Sequence, residues 1–126
     1  MKSTTIELET TLETTNVLDR HNDYIQIYII KSQNQIALTD DGYTIADINQ
    51  SGLFDSQESR ELLSKTIEKV GVSQEGGTLK VYATQENLAL KKQNLIQAIS
   101  ELNNLANKMP FIYFENIKKF LEKPCQ

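Results

Sequence analysis

Apolar and polar residues alternate over the first half of the chain, and this pattern predicts a series of short β-strands. From Thr5 to Thr14, leucine and isoleucine alternate with glutamate, and from Asp23 to Ile30, isoleucines alternate with tyrosines and a glutamine. A period of two places one set of side chains on a buried face and the other on a solvated face. The polar stretch Asn16 to Asn22 predicts a turn, so the two segments are expected to pair in antiparallel fashion.

Two further strands are predicted at Gln35 to Thr39 and at Tyr43 to Ile48. A tight reversal at Lys31 to Asn34 precedes the first of them. The sequence Asp40-Asp41-Gly42 separates the two, and its glycine can take positive φ at no steric cost. We therefore expect an antiparallel meander of about four strands over residues 5–50.

Later in the chain, apolar residues adopt the three- and four-residue spacing of amphipathic helices. A helix is predicted over residues 56–70, because Asp55 or Ser56 can cap its first turn. After a turn at Gly76-Gly77, residues 78–84 show the alternation of a last strand.

A long helix is predicted over residues 86–109, where apolar residues recur every seven positions. Pro110 is expected to start a separate short helix over residues 110–122. Burial against a sheet requires one such apolar stripe, but the stripe can also join two chains. We expect a homodimer, and the candidate residues for its contact, or for contact with another partner, are Leu95, Leu102, Leu105, Met109, Phe111 and Phe114.

These elements together predict an α+β fold in a single domain, residues 1–126. The expected architecture is an antiparallel β-meander of four to five strands, one helix after the meander, and two C-terminal helices packed on one face.

The composition is that of a soluble globular protein. Hydrophobic residues make up 39% of the 126 residues and charged residues 24%. No apolar run approaches the roughly 20 residues that a membrane helix requires. The N-terminus lacks the apolar block of a secretory signal, so a cytoplasmic location is expected. Cys125 is the one cysteine and cannot form an internal disulfide.

The net charge is −4, and its distribution is uneven, with an acidic first half and a mildly basic second half. This asymmetry favours head-to-tail contacts or a partner with a basic surface over direct binding of nucleic acid. Two solvated faces of one domain would give the same pattern.

Aspartates are concentrated in the predicted turns, and they allow two interpretations. Asp23 and Asp40, with Lys80 on the last strand, could form the metal site of a nuclease, since Mg²⁺ prefers oxygen ligands. Turns use the same residue type for local backbone hydrogen bonds, which is the interpretation that we favour, so no metal is expected. The acidic turns also form a candidate binding surface comprising Asp19, Asp23, Asp40, Asp41, Tyr43 and Asp47.

The sequence gives little support for histidine-based catalysis, cofactor binding or base stacking. His21 is the one histidine and is expected to form hydrogen bonds in a loop. The chain lacks GxGxxG, P-loop, HExxH and CxxC motifs, so no cofactor is expected. Tyr24, Tyr28, Tyr43 and Tyr82 could stack on bases, but the surrounding charge is negative and cross-strand packing is preferred.

Three longer phrases, LDRHNDYIQIYI, ALTDDGYTIADINQSG and LALKKQNLIQAISELNNL, resemble an uncharacterised bacterial family. The resemblance covers about residues 15 to 122. Family members begin with a domain of unknown function and usually continue into a second uncharacterised domain, which is expected to be absent after Cys125-Gln126. The resemblance implies no activity and no catalytic residues. It does imply frequent association with phages and other mobile elements.

The expected function is non-catalytic binding of a protein or nucleoprotein partner. The sharpest version, which the resemblance suggests, is an inhibitor of a bacterial defence nuclease, of an anti-CRISPR-like or anti-restriction-like kind. An acidic face that imitates a phosphate backbone would suit that role. The alternative is a divalent-metal-dependent nuclease, or a degenerate nuclease domain, built on Asp23, Asp40 and Lys80.

Overall fold

A computed structural model describes residues 8–52 and 54–122 of the chain, without the side chains of residues 112–114, 116, 120 and 122. Its elements are β1 (Glu9–Leu18), β2 (Tyr24–Lys31), β3 (Ile36–Thr39), α1 (Tyr43–Asn49), α2 (Gln57–Glu68), β4 (Ser73–Glu75), β5 (Thr78–Ala83) and α3 (Leu88–Glu122). The first residues of the predicted strand at Thr5 to Thr14, the Phe114 side chain and Cys125 lie outside the described residues.

The five strands form one antiparallel sheet in the order β1-β2-β3-β5-β4. β5 returns to the centre of the sheet and pairs with β3, with Leu38 opposite Val81. β4 is a short edge strand that was not predicted, and it pairs with β5 across the predicted glycine turn. The α+β fold with an antiparallel sheet and a long C-terminal helix is confirmed.

The segment Tyr43–Asn49 forms helix α1, so the prediction of a strand at Tyr43 to Ile48 is wrong. Ile45 and Ile48 are three positions apart, which fits one face of a helix, and both are buried. In so short a segment, a helical and an extended reading of the same apolar residues compete. The decision comes from the preceding turn, where Gly42 has φ 81° and directs the chain into α1.

Helix α3 continues without interruption through Pro110, so the predicted break at this residue is corrected. A proline inside a helix removes one N–H donor, and its ring clashes with the carbonyl four residues earlier. Here the proline is exposed, and the remaining backbone hydrogen bonds carry the helix past it. At 1.5 Å per residue, α3 is about 50 Å long.

The hydrophobic core lies between the helices and one face of the sheet, which we call the inner face. Ile25, Ile27 and Ile29 of β2 point into this core, whereas Tyr24 and Gln26 lie on the opposite, outer face. The part of the chain that the structure describes contains no helix long and apolar enough to cross a membrane.

Most residues of the predicted dimer contact belong to this core. Leu95 and Leu102 are fully buried and Met109 is 8% exposed. Leu105 packs against the same cluster. Phe111, with 73% of its surface exposed, is the one described member of the set that is open to a partner. The homodimer therefore stays a prediction, and the buried residues could join it only by leaving the core.

Candidate functional site

A cleft of about 650 Å³ opens at the end of the sheet where β2 extends beyond β3. β3 ends at Thr39, opposite Tyr28, so residues 24–27 of β2 have no partner in β3. The chain turns into α1 at this point and leaves a space between β2 and α1. The cleft is lined by Thr14 of β1, by β2 and the β1–β2 turn, by most residues between Asp40 and Asp47, and by Ile99 and Asn103 of α3.

Asp19 shapes the turn between β1 and β2 at the rim of the cleft. Its Oδ1 accepts the backbone N–H groups of His21 at 2.8 Å and of Asp23 at 3.0 Å. Its own N–H donates to the Asp23 carbonyl at 2.8 Å. This is the turn chemistry that aspartate commonly performs, and it fixes where the neighbouring side chains lie.

Asp40 is a buried carboxylate, 3% exposed, that joins α1 to the sheet. Its Oδ2 accepts the N–H of Thr44 at 2.8 Å, within the first turn of α1. Its Oδ1 accepts the N–H groups of Gly42 at 3.0 Å and of Leu79 on β5 at 3.3 Å. A negative charge here satisfies free N–H groups at a helix start, so the position of α1 depends on this residue.

Asp47 clamps α1 to the β1–β2 turn. It accepts the Arg20 Nε–H at 2.9 Å and lies 2.7 Å from His21 Nε2. Burial acts to raise the pKa of Asp47, but hydrogen bonds from Arg20 and His21, and their charges, hold that pKa below its ordinary value. The loop position of His21 was predicted from the sequence, but this cluster was not, because opposite charge was the only signal for a pairing across 26 residues.

Asn103 connects α3 to the same turn and was not predicted. This buried side chain accepts the Arg20 backbone N–H at 3.1 Å and donates to the Ile99 carbonyl at 2.8 Å. A buried polar group needs such partners. An asparagine within the inward apolar stripe of a helix was the signal that could have pointed to it.

Tyr43 reports the electrostatic character of the cleft. Burial raises the pKa of Tyr43, and the negative charges of Asp19, Asp47 and Asp23 raise it further, with Arg20 acting in the opposite sense. The tyrosine nevertheless has 55% of its surface exposed. A ligand that enters the cleft therefore meets an accessible aromatic ring in a negative field.

The six residues of the predicted binding surface all line this cleft: Asp19, Asp23, Asp40, Asp41, Tyr43 and Asp47. Their carboxylates differ in what they already bind. Asp40 and Asp47 are engaged within the fold, whereas the Asp23 and Asp41 side chains are exposed and accept no hydrogen bond from any residue that the structure describes.

The three residues of the nuclease alternative are arranged differently. Lys80 lies on β5, opposite Thr39 and Ser73, and is not among the residues that line the cleft. The Asp40 carboxylate is occupied by three backbone N–H groups. Within residues 8–52 and 54–122, no group of three or more His, Cys, Asp or Glu side chains is placed to hold a metal ion.

Fold and site together define a small α+β domain whose antiparallel sheet carries an acidic cleft with tyrosines at its end. The family model described as domain of unknown function DUF1828 matches residues 15–102, and the chain belongs to this family. The predicted membership of an uncharacterised family is thus confirmed. Comparisons with curated proteins and with solved structures find no match.

Proposed function

We propose that this chain is a non-catalytic binding module that recognises a protein partner through the acidic cleft. The observation that carries the proposal is the composition of the cleft lining. Among the lining residues that the structure describes are five aspartates and three tyrosines, and no lysine, arginine or histidine. A concave site with one sign of charge attracts and orients the opposite charge.

The group that fits this lining is a basic side chain, and arginine fits best. Its guanidinium forms paired hydrogen bonds with a carboxylate and stacks on aromatic faces. Asp23 and Asp41 supply carboxylates that the fold does not use, and Tyr24 and Tyr43 are aromatic side chains more than half exposed. A volume of about 650 Å³ lies in the usual range for sites that bind small groups, so it accommodates side chains rather than a whole partner helix.

The partner that we propose is a cytoplasmic protein whose basic groove normally binds nucleic acid, and a bacterial defence nuclease is the sharpest example. Such grooves hold arginine and lysine side chains that contact phosphates. Carboxylates on the cleft rim offer those side chains an alternative anionic surface. Occupying the groove would inhibit the partner without any chemical step.

The nuclease alternative receives less support from the geometry. A carboxylate that binds a catalytic metal must have lone pairs free for it, whereas Asp40 already accepts three N–H groups. Because Lys80 is not among the residues that line the cleft, the charge that would complete a two-carboxylate-and-lysine site is missing from its lining. Cleavage of DNA or RNA with added Mn²⁺ by the wild type, and its loss in Asp23→Asn, would restore this alternative.

The proposal is tested by affinity capture from bacterial lysate with three matched baits. The first is the wild type and the second is the double variant Asp23→Asn/Asp41→Asn. The third, Glu61→Gln/Glu68→Gln, removes the same charge from exposed positions of α2, away from the cleft. We expect a partner that the wild type and the α2 variant retain and the cleft variant loses.

Purified partner then allows a quantitative measurement by calorimetry. Neutralising two rim carboxylates is expected to weaken binding about tenfold or more, because each charge-assisted hydrogen bond contributes about 1.5–3 kcal/mol. The affinity of the wild type should fall with added salt, and the cleft variant should show a shallower dependence. Equal affinities for the cleft and α2 variants would refute the role of the cleft.

A further inference from the structure

Strand β1 forms an edge of the sheet, and its outer side is unoccupied by any strand that the structure describes. None of its ten side chains is buried. Leu12 is 48% exposed, and Leu8, just before the strand, is 63% exposed. Natural edge strands are usually short or are protected by charged side chains (especially lysine), proline or a bulge. β1 is long and contains neither lysine nor proline, and its charged residues are Glu9 and Glu13. It is regular from Glu9 to Thr14, since its irregularity lies between Thr14 and Leu18.

The direction of the β1 backbone groups follows from the pairing of its neighbours. Asp23 faces β1, because its carbonyl accepts the N–H of Asp19. Backbone groups alternate in direction along a strand, so Ile27 also faces β1, and its partner Glu13 faces β2. Successive residues point to opposite sides, and the N–H and C=O groups of Thr10, Leu12 and Thr14 therefore point to the free edge.

The other side of the sheet gives the same assignment independently. The Lys80 carbonyl faces β4, where it accepts the Ser73 hydroxyl at 3.1 Å. The backbone groups of Val81 then face β3, and those of its partner Leu38 face β5. Ile29, which lies opposite Leu38 on the other side, therefore faces β1, in agreement with the direction assigned to Ile27. The free edge of β1 is thus a regular ladder of donors and acceptors that pair with no strand among the described residues.

We infer that this edge pairs with β1 of a second copy of the chain, in antiparallel register about a twofold axis at Leu12. In this register Leu12 lies opposite Leu12 of the second copy, and Thr10 lies opposite Thr14. All three outward residues then exchange main-chain hydrogen bonds. The two sheets become one continuous sheet, and the interface is isologous, as a closed dimer requires.

The charges on β1 select this register over the adjacent one. An axis at Thr11 would place Glu9 opposite Glu13 of the second copy, and like charges directly opposite each other destabilise a strand pair. An axis at Leu12 places Glu13 opposite Thr11 instead. Glu13 is also held by Lys92 of α3 at 2.8 Å within its own chain, which reduces its charge at the interface.

Crosslinking tests the register in the full chain. With Cys125→Ser as background, Leu12→Cys should form a disulfide-linked dimer on mild oxidation, because residues directly opposite each other have Cα atoms about 5.5 Å apart. Thr10→Cys is the matched control, on the same strand and edge. Its two copies would be about 14 Å apart, too far for a disulfide. Equal crosslinking of the two variants would overturn the inferred register.

Light scattering and sedimentation test the association itself. The wild type should have twice the chain mass of 14.3 kDa at micromolar concentration. Leu12→Lys should weaken self-association about tenfold or more by opposing two charges on the axis. Thr10→Pro, which removes an outward N–H and leaves the β1–β2 hydrogen bonds in place, should also weaken self-association. Thr10→Val retains that N–H and should leave self-association unchanged.

Three outcomes would overturn the inference. One is a single-chain mass at all concentrations up to about 0.5 mM, roughly the range in which weak self-association is detectable. Another is a dimer unaffected by Leu12→Lys and Thr10→Pro. The third is a monomer that captures an unrelated protein and loses it in Thr10→Pro, which would assign the edge to a foreign strand. The substituted residues Thr10 and Leu12 do not line the cleft, so failure here leaves the proposed function standing.

Discussion

Replacing Asp40 by alanine should destabilise the fold severely, although the residue lies in a turn. Its carboxylate accepts three backbone N–H groups, two of which belong to the buried residues Thr44 and Leu79. An unsatisfied buried donor costs about 1–3 kcal/mol, and the third donor, on Gly42, can turn to water. We therefore expect the free energy of unfolding to fall by about 3–5 kcal/mol, from a total typical for domains of about 5–15 kcal/mol.

Urea unfolding followed by circular dichroism measures this loss. With a slope of about 1–3 kcal/mol per molar urea, the midpoint of Asp40→Ala should fall by roughly 1–5 M. Asp40→Asn retains one acceptor oxygen and should lose about 1–2 kcal/mol. Asp41→Asn, the same charge change at the exposed neighbouring position, should stay within about 0.5 kcal/mol of the wild type. A midpoint for Asp40→Ala equal to that of the wild type would refute the reasoning.

This result also affects how catalysis should be tested. If Asp40→Ala unfolds the chain, its failure to cleave nucleic acid would say nothing about a metal site. Asp23, whose side chain is exposed and bound by no described residue, is the position at which loss of activity could be interpreted.

Three further outcomes are expected. Asp47→Asn should destabilise the protein at pH 7 by about 1–3 kcal/mol. Because the pKa of Asp47 is lowered in the folded state, the stability that Asp47 contributes is present above the ordinary pKa of 3.8 and is lost as the pH falls through the folded pKa. The difference in unfolding free energy between the variant and the wild type, measured by chemical denaturation, should therefore vanish in strong acid. In Asp23→Asn, the pKa of Tyr43, followed by NMR of the ring, should move back toward the ordinary value of 10.0; an unchanged value would contradict a negative field in the cleft. Gly42→Ala and Gly71→Ala should each lower the free energy of unfolding by about 1 kcal/mol, since both glycines have positive φ and the nearest atom to an added Cβ lies at 3.4 Å or beyond. A thermal scan in which Gly42→Ala alone is strongly destabilised would show that the contact of the added Cβ with Thr78 at 3.4 Å matters.

Local patterns sufficed for most of the fold. The alternation in β2 and the heptad stripe of α3 each identified an element and its buried face, because the signal repeats along one segment. Tyr43–Asn49 was misassigned because seven residues are too few to separate a period of two from a period of 3.6. Besides the turn at Gly42, the Asp40 carboxylate holds the start of α1 against Leu79 of β5, a contact across 39 residues that local patterns do not contain.

The residues that line the cleft could be predicted from the sequence, but the contacts between them could not. Turn aspartates were recognisable by type, and all six predicted residues line one cleft. Which of them remain available could not be foreseen, because that depends on partners distant in sequence. Arg20 and His21 occupy Asp47, and Asn103 of α3 holds the turn in place.

The extension of β2 beyond β3 bears on how the recognition that we propose can evolve. By the alternation of backbone direction along β2, the main-chain groups of Tyr24 and Gln26 face the space that β3 leaves open. Any molecule bound there meets amide and carbonyl groups that every amino acid except proline provides. Under the proposed function, the side chains around the opening can therefore change without removing this part of the contact.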